Sequence, residues 1–132
     1  MKLRQIVEAK PVIEKIINGK IPVTIGWNLK LLVEKSNPEL LSFEQIKNQK
    51  VKEYGTEVKD EKDILVGYEV KEDSDNFKEY MKEIDELLDK EINLETNFIS
   101  KNDFENLKDI KGNVLLLNFN EIKAIDWLIK EI

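Results

Sequence analysis

Apolar residues recur three and four positions apart through most of this chain, and the period drops to two over a few short stretches. Ile6, Val7, Val12, Ile13, Ile16 and Ile17 keep helical spacing within residues 2–18. Pro11 falls among them, so the spacing predicts a turn or short helix first and a helix from about residue 10. Asn18-Gly19 is a stop signal, because both residues tolerate left-handed backbone. Ile21-Pro22-Val23 reads as an extended connector, and Thr24 as the cap of the next helix. That helix carries Trp27, Leu29, Leu32, Val33, Leu40, Phe43, Ile46, Val51 and Tyr54, and is expected over 28–54 with a kink at Pro38. Beyond Leu40 its apolar stripe narrows, which suits a coiled-coil arm contacting one partner helix.

Gly55 ends that pattern. Ile64, Val66, Tyr68 and Val70 then alternate with Leu65, Gly67, Glu69 and Lys71. With Thr56 and Val58 on a shorter partner strand and Asp60-Glu61-Lys62-Asp63 as a polar turn, the alternation predicts a β-hairpin at 56–71. Asp73-Ser74-Asp75-Asn76 offers caps for a helix over 75–91. Its stripe is Phe77, Tyr80, Met81, Ile84, Leu87 and Leu88. Ile92, Leu94 and Phe98 alternate with polar residues and read as a short strand. Ser100 and Asp103 resemble a capping box opening a short helix with Phe104 and Leu107. Val114 to Leu117 reads as a wholly apolar strand. Asn118, with Glu121 three residues on, caps a last helix whose buried stripe is Ile122, Ile125, Leu128, Ile129 and Ile132.

These elements predict an α+β, mostly helical fold. Helices 28–54 and 75–91 form an antiparallel two-helix arm tipped by the β-hairpin, on a small α/β base built from residues 1–27 and 92–132. The length fits a single domain over 1–132.

Charge sharpens this picture. Residues 1–56 hold 10 Lys+Arg against 6 Asp+Glu, a net +4, whereas residues 57–95 hold 6 against 15, a net −9. The plain reading is a basic rising helix lying against an acidic returning one. An acidic total of −6 argues against direct nucleic-acid binding, which needs a basic footprint. No apolar run reaches the roughly 20 residues of a membrane helix, and Met1-Lys2-Leu3-Arg4 does not read as a signal peptide. The expectation is a chain without membrane association, resident in the cytoplasm.

The chain has no histidine and no cysteine. The usual general base, the soft metal ligands and the strongest nucleophile are therefore missing, which predicts no enzyme activity, no catalytic residue, no cofactor and no metal. Asp60, Glu61 and Asp63 lack the spacing and central glycine of a calcium loop. Asp85 and Asp89 share a helix face, where a solvated surface is the simpler reading. Ser74 and Ser100 read as caps, not nucleophiles. What remains is the hairpin: a two-stranded ribbon cannot bury Ile64, Val66, Tyr68 and Val70 by itself. These four form the candidate partner interface.

The order of features resembles a group of small uncharacterised proteins of tailed bacteriophages and prophages of low-GC bacteria. The resemblance rests on Met1-Lys2-Leu3-Arg4, Lys20-Ile21-Pro22-Val23, the long helix ending Lys52-Glu53-Tyr54-Gly55, and the acidic hairpin. It continues through Phe77-Lys78-Glu79 to Leu87-Leu88, Ile92 and Leu94, and Asn120-Glu121-Ile122-Lys123-Ala124-Ile125. It implies a viral protein of the host cytoplasm or the virion, a structural or assembly factor or a small regulator, and it carries over no functional residue. Together these readings predict a non-enzymatic protein acting by protein–protein contacts, with a protein partner or as a homo-oligomer. The alternative is an acidic inhibitor of a nucleic-acid-handling host protein, with segment 57–95 imitating phosphate. An enzyme working with carboxylates and lysine alone is the third reading.

Overall fold

The computed structural model describes residues 1–131. The fold is α+β and mostly helical, and its backbone contacts divide the chain into two compact units, residues 1–37 with 91–132, and residues 38–90.

In the first unit the helical stripe at the start of the chain runs straight through Pro11. Helix α1 spans Leu3–Ile17 and buries Leu3, Ile6, Ala9, Val12, Ile13 and Ile16. The expected interruption at residue 10 does not occur. An interior proline costs about 3 kcal/mol. A single fully buried aliphatic side chain contributes about 1.5–3 kcal/mol, so six buried positions on one face outweigh the lost hydrogen bond. Gly19 then lets the chain turn close against Lys108, because a side-chain carbon there would overlap the Lys108 carbonyl. Lys20 N–H donates to the Asp109 carbonyl beside it, at 3.3 Å.

Helix α2 spans Val23–Tyr54, starting five residues before the expected residue 28. The Pro22 carbonyl accepts the Gly26 N–H at 3.1 Å, which leaves Thr24 inside the first turn and not at a cap. Pro38 lies within this single helix. Two residues earlier Ser36 is fully buried, and its hydroxyl donates to the Val33 carbonyl at 2.8 Å.

Residues 92–98 do not form the expected strand; β3 is only Ile99–Ser100. It pairs in parallel with β4, Ile129–Lys130. Of the expected box one half is present: Ser100 accepts the Asp103 N–H at 3.1 Å and caps α4, Lys101–Glu105. Val114–Leu117 is no strand either, with only an isolated bridge between Val114 and Lys108.

The last helix, α5, spans Phe119–Ile125 only. A 3-10 turn at Asp126–Leu128 follows, and the chain then becomes β4. The Trp127 indole N–H donates to the Ala124 carbonyl at 3.0 Å, satisfying a group the helix end would leave open. Ile125 and Leu128 are fully buried, Ile122 is exposed, and Ile132 lies outside the described residues.

Helix α5 packs on α1. Asn118 accepts the Glu121 N–H at 2.8 Å while Glu121 accepts the Asn118 N–H at 3.1 Å, a reciprocal cap. Lys15 reaches across from α1 to the Glu121 carboxylate at 3.2 Å and to the Leu116 carbonyl at 3.2 Å. The Asn118 backbone N–H holds the Glu121 carboxyl below its ordinary pKa; burial opposes it, and the hydrogen bond and charge of Lys15 add to the lowering.

The second unit holds the C-terminal part of α2, the hairpin strands β1 (Thr56–Lys59) and β2 (Leu65–Glu69), and α3 (Phe77–Leu88). The hairpin expected at 56–71 is present, and α3 is shorter than the expected 75–91. Here α2 and α3 run antiparallel. Asn76 donates to the Tyr54 carbonyl at 3.3 Å, and one turn back along α2 and two turns on along α3 Lys50 lies 3.4 Å from Glu83. Leu40 and Phe43 of α2 and Tyr80 and Ile84 of α3 are its buried apolar side chains, a small core.

Two outcomes test this packing. Leu128→Ala removes a fully buried side chain and should cost about 2–5 kcal/mol in a denaturant titration. Because its folded-state pKa is lowered, Glu121 contributes stability that is complete above its unfolded pKa of about 4.3 and is lost as pH falls through the folded value. Glu121→Gln should therefore flatten the acid limb of the stability profile, measured by thermal melts below pH 5.

Candidate functional site

The hairpin is closed by one side chain. Asp60 Oδ1 accepts the backbone N–H groups of Lys62 at 2.9 Å and Ile64 at 3.0 Å. The Asp60 carbonyl accepts Asp63 N–H at 3.0 Å, and Asp63 sits in left-handed backbone at φ 62°. The carboxylate that the sequence weighs as part of a calcium loop is thus a turn-former. At the other end Gly55 is compelled by space: a side-chain carbon would overlap the Val51 and Glu69 carbonyls.

Beneath it, Lys50 lies 3.0 Å from Glu53 and 3.4 Å from Glu83. Its bond to Glu53 is the main cause raising the Lys50 pKa, with burial acting the other way. The Tyr54 phenol is also raised, first by its hydrogen bond to Glu83 and then by burial. Tyr80 is raised by burial, with the Glu44 charge adding to it.

Strand pairing rearranges the apolar face expected on the ribbon. Glu57 pairs with Tyr68, Val58 with Gly67, and Lys59 with Leu65, so Val66 is the extra residue of a β-bulge. Paired residues share a side and alternate residues return to it. Leu65 therefore joins Val66 and Tyr68, and Ile64 falls out of phase. Ile64 is 57% exposed, Leu65 46% and Val66 62%, while Tyr68 and Val70 are half-buried. Leu65 is the residue that period-two counting missed, because a bulge leaves no mark in the sequence.

The first unit carries two further surfaces. A cavity of about 710 Å³ is lined by Gln5, Asn28, Leu31, Leu94, Phe98 and Trp127, among others. Asn97 donates to Asn28 across its wall at 3.2 Å, and Lys130 lies 3.7 Å above the Phe98 ring. These groups supply packing and hydrogen bonds. The second surface surrounds a depression of about 190 Å³ lined by Phe104, Leu115, Leu116, Leu117 and Ile122. Leu116 is 80% exposed and Phe119 77% exposed, and Val114 and Ile122 are exposed as well. The sequence hint was there: a run apolar at every position calls for burial on both faces, yet the chain half-buries only Leu115 and Leu117.

Among the described residues no group of three or more Asp or Glu is arranged to hold a metal ion. None of their helices is long and apolar enough to cross a membrane.

The left-handed turn gives a local test. Asp63→Gly relieves a conformation that glycine adopts freely, and should raise the thermal midpoint of the hairpin followed by Tyr68 resonances. Asp60→Ala removes both acceptor bonds and should lower it. Searches of protein-family models, curated proteins and solved structures returned no match to this chain.

Proposed function

We propose that this protein acts by protein–protein contacts and turns over no substrate, as a viral structural or assembly factor or a small regulator working in the host cytoplasm or the virion. The observation that carries the reading is the hairpin's exposed apolar edge, Leu65 and Val66, beside Tyr68. An isolated ribbon gains too little from its own burial to keep such residues in water without consequence. Contiguous exposed apolar surface marks an interaction site more often than not. Both outer strand edges of the two-stranded sheet also lack a neighbouring strand among the described residues, and a further strand can add there. The resemblance to phage proteins supports the viral setting.

Val66→Ser with Tyr68→Lys tests it. The double variant should keep its helical circular-dichroism signal while self-association, or capture of a partner from infected or host cells with mass measured on the eluate, falls at least tenfold. A folded variant that still binds as the wild type does would remove the hairpin from the interface. A complex that instead dissolves with salt and survives this change would favour the acidic inhibitor.

A further inference from the structure

An exposed knob and an open hole lie on one surface of the unit made of 1–37 and 91–132. The hole is the depression of about 190 Å³ walled by Phe104, Leu115, Leu116, Leu117 and Ile122, with Glu105. The knob is Phe119, 77% exposed, one turn before Ile122 on the same face of α5. Phe119 is not among the residues that wall the hole. An apolar cavity of about 150 Å³ is enough to take a benzene molecule, so the depression has room for one phenyl ring.

Knob and hole are both held in place. The Leu115 N–H donates to the carbonyl of fully buried Leu107 at 3.0 Å. The Leu116 carbonyl accepts from Lys15 at 3.2 Å, and the reciprocal cap of Asn118 and Glu121 fixes the start of α5. An apolar surface already ordered in this way loses little freedom when it is covered.

We propose that this surface is the interface of a symmetric dimer, in which the Phe119 ring of each copy enters the depression of the other. A knob and a hole on the same patch make it self-complementary, which is the condition for a two-fold contact. One two-fold operation fills both holes and covers both knobs. Area agrees: Val114, Leu116, Phe119 and Ile122 at their exposures offer on the order of 500 Å² of the roughly 800 Å² that each side of a standard interface contributes. Half-buried Phe104, Leu115 and Leu117 add to it.

Charge is accommodated by the same geometry. The unit holds 12 Lys+Arg against 11 Asp+Glu, a net +1, so two such units approach without strong repulsion. Lys123 lies four residues after Phe119 on the same face of α5, and Glu105 lines the hole that this face would meet. Neither has an ion-pair partner among the described residues. The two-fold brings Lys123 of each copy to Glu105 of the other; exposed pairs of this kind set register more than strength. Every residue involved belongs to one unit, so the contact does not draw on the hairpin.

Sedimentation equilibrium tests this. Val66→Ser/Tyr68→Lys, in which the hairpin edge is disabled, should form a dimer at rising concentration and go no further. Adding Phe119→Ala should raise the dimer dissociation constant about tenfold or more, with the thermal midpoint of the monomer unchanged because the ring is exposed. Lys123→Glu should weaken the dimer about threefold, and Glu105→Lys added to it should restore the dimer, a result that damage to the fold cannot give. A parent protein that stays monomeric overturns the inference. So does growth past a dimer, a folded Phe119→Ala protein that dimerises unchanged, or a paired charge variant no tighter than Lys123→Glu alone. The hairpin reading is judged separately, by partner capture in Phe119→Ala protein with and without the hairpin changes, where the patch no longer contributes.

Discussion

The buried face of α1 is the constraint on which the first unit depends. Ile6, Ala9, Ile13 and Ile16 are wholly inaccessible to solvent, and so are Ile125 and Leu128 in the segment packed nearby. A helix of fifteen residues is marginal alone in water. It forms here because its apolar face has somewhere to go. The same burial explains why Pro11 does not break it, and why the chain after Ile125 turns into a strand beside β3. A longer α5 would have carried Ile129 away from its pairing with Ile99.

The second unit has no such face. Four buried apolar residues serve 53 positions, and the remaining order is held by polar devices: the Asp60 turn, the Asn76 bond to Tyr54, and the Lys50, Glu53 and Glu83 cluster. Exposed ion pairs contribute little each. Local stability should therefore be lower here than around α1, which is where a segment that must adapt to another molecule is best placed.

What could be read from the sequence divides along physical lines. Helical stripes on α1, α2 and α3 were legible because burial on one face writes a period into the chain. Caps at Ser100 and Asn118 were legible because the bond needs a particular side chain at a particular spacing. The hairpin was legible from alternation, but not its bulge, since pairing register is set between strands and not within one. Residues 92–98 misled for a related reason. Ile92 is buried, Leu94 and Thr96 are half-buried, and Asn93, Glu95 and Asn97 are exposed, so the alternation is real. It reflects one side lying on the unit, and alternation alone does not supply a neighbouring strand. Val114–Leu117 misled because local composition cannot say whether an apolar run is covered by its own chain.

The Asp60 turn has a twin. Asp109 Oδ1 accepts the N–H groups of Lys111 and Asn113 at 2.9 and 3.0 Å, as Asp60 does for Lys62 and Ile64, and Gly112 holds the left-handed place that Asp63 holds in the hairpin. In both loops the first residue does the closing. The next two, Glu61 and Lys62 in one and Ile110 and Lys111 in the other, contribute only their backbone to it. Selection can thus rewrite those two side chains in either loop while the turn persists. A lineage bearing this fold has two small displays whose side chains can vary independently of the turns that carry them.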